Sequence, residues 1–516
     1  MNFKRNLFVI TTALVGALAL SGCDFGENKF EHFEFIEEKQ DTKEDYFNFM
    51  VKDTKGENEI DLGDAYTLFR DYADHSHIKS TGEQKIIVVP VEFPDYKVEK
   101  LSISNEQFID KINKVFFGNA KNNAYVSVGE YFNKSSYGKL KLDGKVCDQI
   151  FTFPYSVEQI RERKLERDVL ANDIYKKVID WYKKNYDDIV SYEVEGLKTG
   201  KNVPIYMVYT HPSISNQDED ETGFFWAYTF SDVPLSWSSS SFMYLQYGEP
   251  DAHTYIHETG HLLGLTDYYP TIIPEENKTE TKTGGNEIEE EEEDEKEPYV
   301  AYEPTARIDM MDCSIGDETS LSKMVLNWSK PTYVNSTQEV AIKSFTETGD
   351  VILLSNNWNH TPFDEYYLFE YYTPTGLNSY DISIGNSEAK LPKLPGIKIY
   401  HVDARLAYFE NKTIKDYCVF GEKAPTSTIS LGLAHDNNTY INPDDYQKNY
   451  LYSLVLNHVE GMKTGAAVDA NLFRYGDEIP DLKLNSGEKL NYKISVSWSS
   501  FEEVCIKFEK VEKTIK

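Results

Sequence analysis

The stretch Asp251 to Tyr269 reads DAHTYIHETGHLLGLTDYY, and its spacing decides what the rest of the chain must build. On a helix with 3.6 residues per turn, positions four apart share a face, so His257 and His261 can aim both imidazoles at one point. Glu258 lies one step round the same helix and reaches a water held there. Gly264 follows His261 by three residues and can end the helix in a left-handed conformation that turns the chain back. Asp267, three residues further on, then falls where a carboxylate oxygen can complete a set of three protein ligands for zinc, with a fourth position open. His253 shares the helix face, but one turn too far out for a compact tetrahedral site, and is expected at the surface. No other cluster in the sequence offers three convergent ligands.

The pattern His257-Glu258-x-x-His261-x-x-Gly264-x-x-Asp267 resembles the metzincin signature, with Asp in place of the usual third His. Downstream stand Ile308-Asp309-Met310-Met311-Asp312 and then Lys323-Met324-Val325-Leu326-Asn327-Trp328. With these the chain resembles the immune inhibitor A family of bacterial metallopeptidases, which combine the Asp-type motif, a Met-turn and a Lys-Met-x-Leu-x-Trp stretch. The likeness extends to VVPVEFPD and EYFNKSSYGKL upstream and to Gly396–Asp403 (GIKIYHVD) downstream, covering most of residues 85–410. It implies zinc held by His257, His261 and Asp267, Met311 as the Met-turn residue beneath the metal, and Glu258 as general base. Two neutral imidazoles and one carboxylate leave a net positive site that lowers the pKa of a water to about 7. Glu258 then takes its proton and passes it to the departing amine, so cleavage of peptide bonds in protein substrates is expected. Tyr268 or Tyr269 could donate a proton, although adjacent aromatics more often pack.

Around this segment the hydrophobic pattern predicts an α+β lobe. Lys85 to Phe93 (KIIVVPVEF) reads as a buried strand, Asn105 to Phe117 as a helix, and Val128 to Leu142 as a helix end, a Ser-Tyr-Gly turn and a strand. Val157 to Tyr186 is charged and periodic, hence a long surface helix or helix pair; Val203 to Thr210 is a further strand, and Ser241 to Tyr247 another candidate. From about Thr332 the pattern changes to short runs separated by Gly, Pro, Asn and Asp, including Val351 to Leu354, Tyr366 to Tyr372, Ile397 to Val402 and Val504 to Phe508. This predicts a β-sandwich-like C-terminal domain. His401 and Asp403 lie in an alternating strand, where a packed or hydrogen-bonded histidine is the expected reading rather than a ligand.

The N-terminus reads as an address. Lys4 and Arg5 precede an uncharged run, Leu7 to Leu20, of signal-peptide length, and Leu20-Ser21-Gly22-Cys23 resembles the lipobox of bacterial lipoproteins. Cys23 would carry the lipid, anchoring an exported protein to the membrane at the bacterial cell surface. The organisation expected is therefore a signal peptide at 1–22, an acidic tether or pro-segment at 23–82, a catalytic lobe at 83–331 and a β-rich domain at 332–516. His75 and His77 of the tether could cap a metal site in a latent form, but a solvated loop is the plainer reading. Within the catalytic lobe, residues 275–297 carry 12 acidic side chains against 3 Lys. Such a segment cannot bury enough apolar surface to order itself. Calcium is a second cofactor this insert could take, although it lacks the alternating ligands of a defined calcium loop.

Composition bounds the partners. Over 516 residues, 53 Lys and Arg stand against 86 Asp and Glu, a formal net charge of -33. With no basic patch to override that field, nucleic acid is excluded as a partner. The cysteines after Cys23 (Cys147, Cys313, Cys418 and Cys505) show no metal or disulfide spacing and are expected as buried single thiols. The sequence sets no oligomeric state. A surface adhesin with an inactive metal-bearing lobe is the alternative to a peptidase, as is a zinc hydrolase of non-peptide amides or esters. An inactive relative commonly loses the base, and here Glu258 is present.

Overall fold

The computed structural model describes residues 33–35, 78–118, 126–163, 167–186, 204–211, 227–232, 235–241, 252–265, 309–312, 314–358, 364–380, 392–403, 406–409, 418–419, 472–477, 479–484 and 487–511. Helices and mixed sheets place it in the α+β class. Cys23, His75, His77, Asp267, Tyr268, Tyr269, Ile308, Cys313, residues 242–247 and the acidic segment 275–297 lie outside the described residues.

The long strand β2 (Gly82–Glu92) organises the first layer. It pairs in parallel with β3 (Leu140–Val146), β4 (Phe151–Thr152) and β5 (Ile205–Tyr209). Beyond β5 lie β7 (Leu235–Ser241), parallel to it, and the antiparallel edge strand β6 (Tyr228–Asp232). Alternate side chains of β2 enter different cores, because successive residues of a strand face opposite ways. Ile86 and Val88 pack with α1 (Asn105–Phe117), α2 (Val128–Ser135) and α5 (His253–Leu262). Ile87, Val89 and Val91 pack instead with α3 (Val157–Arg163) and α4 (Arg167–Asn185). Helix α1 shows why these segments are helical. Ser104 and Gln107 form a reciprocal capping box at its start, and Phe108, Ile112, Val115 and Phe116 make one buried stripe. Each of those side chains contributes roughly 1.5–3 kcal/mol on burial.

The C-terminal segment builds two further sheets. One has the order β12-β11-β10-β8, from β8 (Pro331–Val334), β10 (Val351–Leu354), β11 (Glu365–Tyr372) and β12 (Gly396–Asp403). The other joins β9 (Gln338–Lys343), β15 (Tyr492–Ser499) and β16 (Glu503–Lys510). Ile352, Tyr367, Phe369 and Ile399 from the first sheet share a core with Ile494, Val504, Ile506 and Phe508 from the second. The other face of the first sheet, carrying Val351, Leu353, Tyr366, Leu368, Tyr400 and Val402, enters the core that holds α5. All eight residues of β11 are buried, so this sheet is covered on both sides by parts of the same chain.

Helix α6 (Ser320–Val325) lies at that junction. Its Lys323 is fully buried and donates to Asp317 Oδ2 at 2.5 Å and to Tyr137 Oη at 2.9 Å. Asp317 also accepts from Ser135 and from Thr346 of the short helix α7 (Phe345–Thr348), each at 2.6 Å. Glu370 on β11 accepts from Ser320 N at 2.7 Å and pairs with buried Lys398 on β12. Burial pushes the Lys323 ammonium down, with Asp317 opposing, and pushes the Tyr137 phenol well above its ordinary value. Trp328 donates its indole N–H to Ser80 O at 2.6 Å, so packing of the lobe begins just before β2. EYFNKSSYGKL and the Lys-Met-x-Leu-x-Trp stretch therefore meet in one buried seam.

Most elements read from the sequence occur where expected, α1 with the same limits and Val157 to Tyr186 as the helix pair α3 and α4. Two features were not anticipated. Strands β6 and β7 occupy Tyr228–Asp232 and Leu235–Ser241, and all of the candidate strand at Ser241 to Tyr247 beyond Ser241 lies outside the described residues. Within the expected tether, Phe33–Phe35 (β1) pairs with β13 (Leu406–Phe409), which in turn pairs with β14 (Cys418–Val419). Among the described residues no helix is long and apolar enough to cross a membrane. Cys147 and Cys505 are buried thiols outside any disulfide, as expected.

Candidate functional site

Helix α5 presents the motif. Tyr255, Ile256, Thr259 and Leu262 face the core, while His257 and His261 stand half-buried on the other side. Their ring centroids are 4.9 Å apart with the planes at 88°, as four-residue spacing requires of two rings sharing one helix face.

The end of α5 orients the second histidine. Gly264 takes φ +92°, Leu265 N donates to Gly260 O at 3.0 Å, and Gly264 N donates to His261 O at 2.9 Å. This paired closure is a Schellman motif, which needs a residue tolerant of positive φ after the helix. The reversal carries Leu265 O back to within 2.9 Å of His261 Nδ1. The first histidine is oriented from elsewhere: His257 Nδ1 lies 3.0 Å from Met310 O. A carbonyl can only accept, so in both rings Nδ1 carries a proton, and in the neutral imidazole the lone pair then lies on Nε2. That is the tautomer a metal-ligating imidazole needs, with the second-shell carbonyl fixing ring direction. The two imidazoles therefore fit zinc through Nε2.

Met311 packs against Gly260 of α5. A β-carbon built on Gly260 would overlap Met311 Sδ, so any larger residue there would force the methionine side chain to move. The methionine turn is held by Asp309, which is wholly buried. Asp309 Oδ1 accepts from Met311 N at 2.7 Å, and Oδ2 accepts from Thr319 N at 2.7 Å and Ser322 Oγ at 3.0 Å. A continuous set of contacts thus runs from Glu370 on β11 through α6 and Asp309 to Met310 O and His257. Beside Asp309 sits Glu318, whose carboxyl is pushed well above the ordinary value by burial and by the Asp309 charge. None of the described residues donates a hydrogen bond to its oxygens within bonding geometry.

Glu258 is 5% exposed, and Thr229 Oγ1 on β6 lies 2.8 Å from its Oε2 and 2.9 Å from its main-chain O. Thr229 has no counterpart in the sequence reading. The third expected ligand, Asp267, lies outside the described residues, and among those residues no group of three metal-binding side chains is assembled.

Two histidines outside the pair are also placed. His253 is not at the surface: it is half-buried, its Nε2 3.1 Å from Ser314 O. The loop after the methionine turn covers that end of α5, which spacing alone could not show. His401 is buried, its Nε2 2.8 Å from Glu365 Oε1 and its ring stacked on Tyr367 at 4.3 Å, the packed arrangement expected of it. The chain matches no family model and no curated protein.

Proposed function

We propose that the protein is a zinc-dependent endopeptidase with a metzincin-like catalytic lobe and a β-sandwich-like C-terminal unit. In this reading it resembles the immune inhibitor A family and is carried on the bacterial surface as a lipoprotein through Cys23. The observation that carries the proposal is the pair of imidazoles one helical turn apart, each with Nδ1 committed to a main-chain carbonyl. Two independently built backbone features, the Schellman turn and the methionine turn, prepare the same tautomer on neighbouring rings.

Zinc, when bound by His257, His261 and Asp267, supplies Lewis acidity that acidifies water and polarises a scissile carbonyl. The chain supplies the rest. Glu258, held by Thr229 on the sheet edge, takes a proton from the attacking water and delivers it to the leaving amine. Asp309 and Met311 support the helix that carries these groups. The substrate class is protein or peptide, and Cys23 would place the activity at the membrane surface.

Digestion of casein by residues 24–516 tests the reading. The wild type is expected to cleave; Glu258→Ala is expected to bind zinc normally and lose several orders of magnitude in rate, and a chelator is expected to abolish cleavage reversibly. Equal activity in all three samples would remove the proposal.

A further inference from the structure

We propose that Thr229 is a positioning residue for the general base, holding the Glu258 carboxylate in its working rotamer from the edge strand β6; this rests on the zinc-peptidase reading above. A glutamate has three side-chain torsions, and its carboxylate must be aimed to within a few tenths of an ångström to act on a proton. Thr229 Oγ1 lies 2.8 Å from Oε2 and 2.9 Å from the main-chain O of the same residue. A hydroxyl has one proton to give. The main-chain O of Glu258 lies inside α5 and is served by the helix's own ladder, whereas an ionised Oε2 is the stronger acceptor. The proton therefore goes to the carboxylate.

The donor is itself well fixed. Thr229 pairs with Ser238 in the antiparallel register of β6 and β7, and a β-branched side chain on a strand has little χ1 freedom. Strand β6 packs against α5, so the distance from hydroxyl to carboxylate is set by sheet and helix rather than by a loop. The same hydroxyl touches both the backbone and the side chain of residue 258. It thereby measures the carboxylate against the helix that carries the two imidazoles.

Thr229→Val keeps shape and removes donation; Thr229→Ser keeps donation and removes the methyl group. In the full chain loaded with zinc, Thr229→Val is expected to lower kcat about 10- to 100-fold on a casein-derived peptide. KM, zinc stoichiometry and cooperative unfolding should remain unchanged, and Thr229→Ser should recover kcat to within about threefold. A readout independent of activity is the zinc-free crystal structure of each variant. Glu258 should occupy a single rotamer facing position 229 in the wild type and Thr229→Ser, and spread over several in Thr229→Val. Wild-type kcat in Thr229→Val, or an unchanged Glu258 rotamer, overturns the inference. Loss of zinc or of folding in Thr229→Val shows a merely structural residue and also overturns it. If the wild type binds zinc but cleaves no peptide, the functional reading fails, and the rotamer comparison still decides the role of Thr229.

Discussion

Replacing Asp309 by alanine tests how the methionine turn is held, and its cost can be worked out bond by bond. The carboxylate accepts from Met311 N, Thr319 N and Ser322 Oγ, all inside the protein. The serine hydroxyl can rotate to another acceptor, but the two main-chain N–H groups cannot. Each buried donor left without an acceptor costs about 1–3 kcal/mol, so Asp309→Ala should lose about 2–6 kcal/mol of stability. Asp309→Asn keeps one oxygen acceptor and should lose about half as much. The effect should also reach the metal, because Met310 O, next in the chain, orients His257. Loss of such an outer partner commonly weakens metal binding about 10- to 100-fold. Urea unfolding gives the first quantity and competition with a chromogenic zinc chelator the second. Unfolding free energy within about 0.5 kcal/mol of wild type, together with unchanged zinc affinity, would refute the proposed support of His257 through Asp309.

Other consequences are open to measurement. Gly260→Ala places a β-carbon against Met311 Sδ and should cost about 1–3 kcal/mol by overpacking. Met311→Ala in the same chain should relieve part of that cost in a double-mutant cycle, and strictly additive effects would show that the two positions are not in contact. Glu318 has a raised pKa in the fold, so the folded state holds a proton that the unfolded state releases. Its contribution is fully present below the ordinary carboxyl pKa and declines as pH rises through the folded value. Glu318→Gln copies the protonated form and should raise Tm at pH 8 while leaving it unchanged at pH 4; a lower Tm at pH 8 would contradict the assignment. A chain ending at Lys330 would lose Phe345, Val351, Leu353, Tyr366, Leu368, Tyr400 and Val402 from the core that holds α5. At about 1.5–3 kcal/mol each this is comparable with or exceeds the net stability of a domain, so the fragment should not unfold cooperatively. Cooperative unfolding of the fragment with intact zinc binding would show that residues before 331 fold without the C-terminal sheets.

The parts legible in the sequence were those in which side-chain type and spacing carry the information. Helix α1 announces itself through Ser104, Gln107 and a stripe of four apolar residues, and His257, Glu258, His261 and Gly264 lie on the helix and turn their spacing implies. What stayed hidden was carried by the backbone or by distant pairing. Met310 O and Leu265 O orient the imidazoles, yet a carbonyl has no residue signature. Thr229 lies 29 positions before Glu258, on a strand of only five residues, YTFSD, and its partner strand LSWSSSS is rich in serine. The C-terminal sheet follows the same rule. EYYLFEYY is apolar or aromatic on both faces, because both faces are covered, and the two glutamates in it are buried beside Lys398 and His401.

The most direct test of the proposed zinc site is X-ray absorption at the zinc edge, combined with metal analysis, on the full chain and on His261→Ala. The account predicts one zinc per chain, with a first shell of two imidazole nitrogens plus light oxygen ligands that include a carboxylate, and its loss in the variant. A chain that binds no stoichiometric zinc, or binds it in a shell without imidazoles, would contradict it.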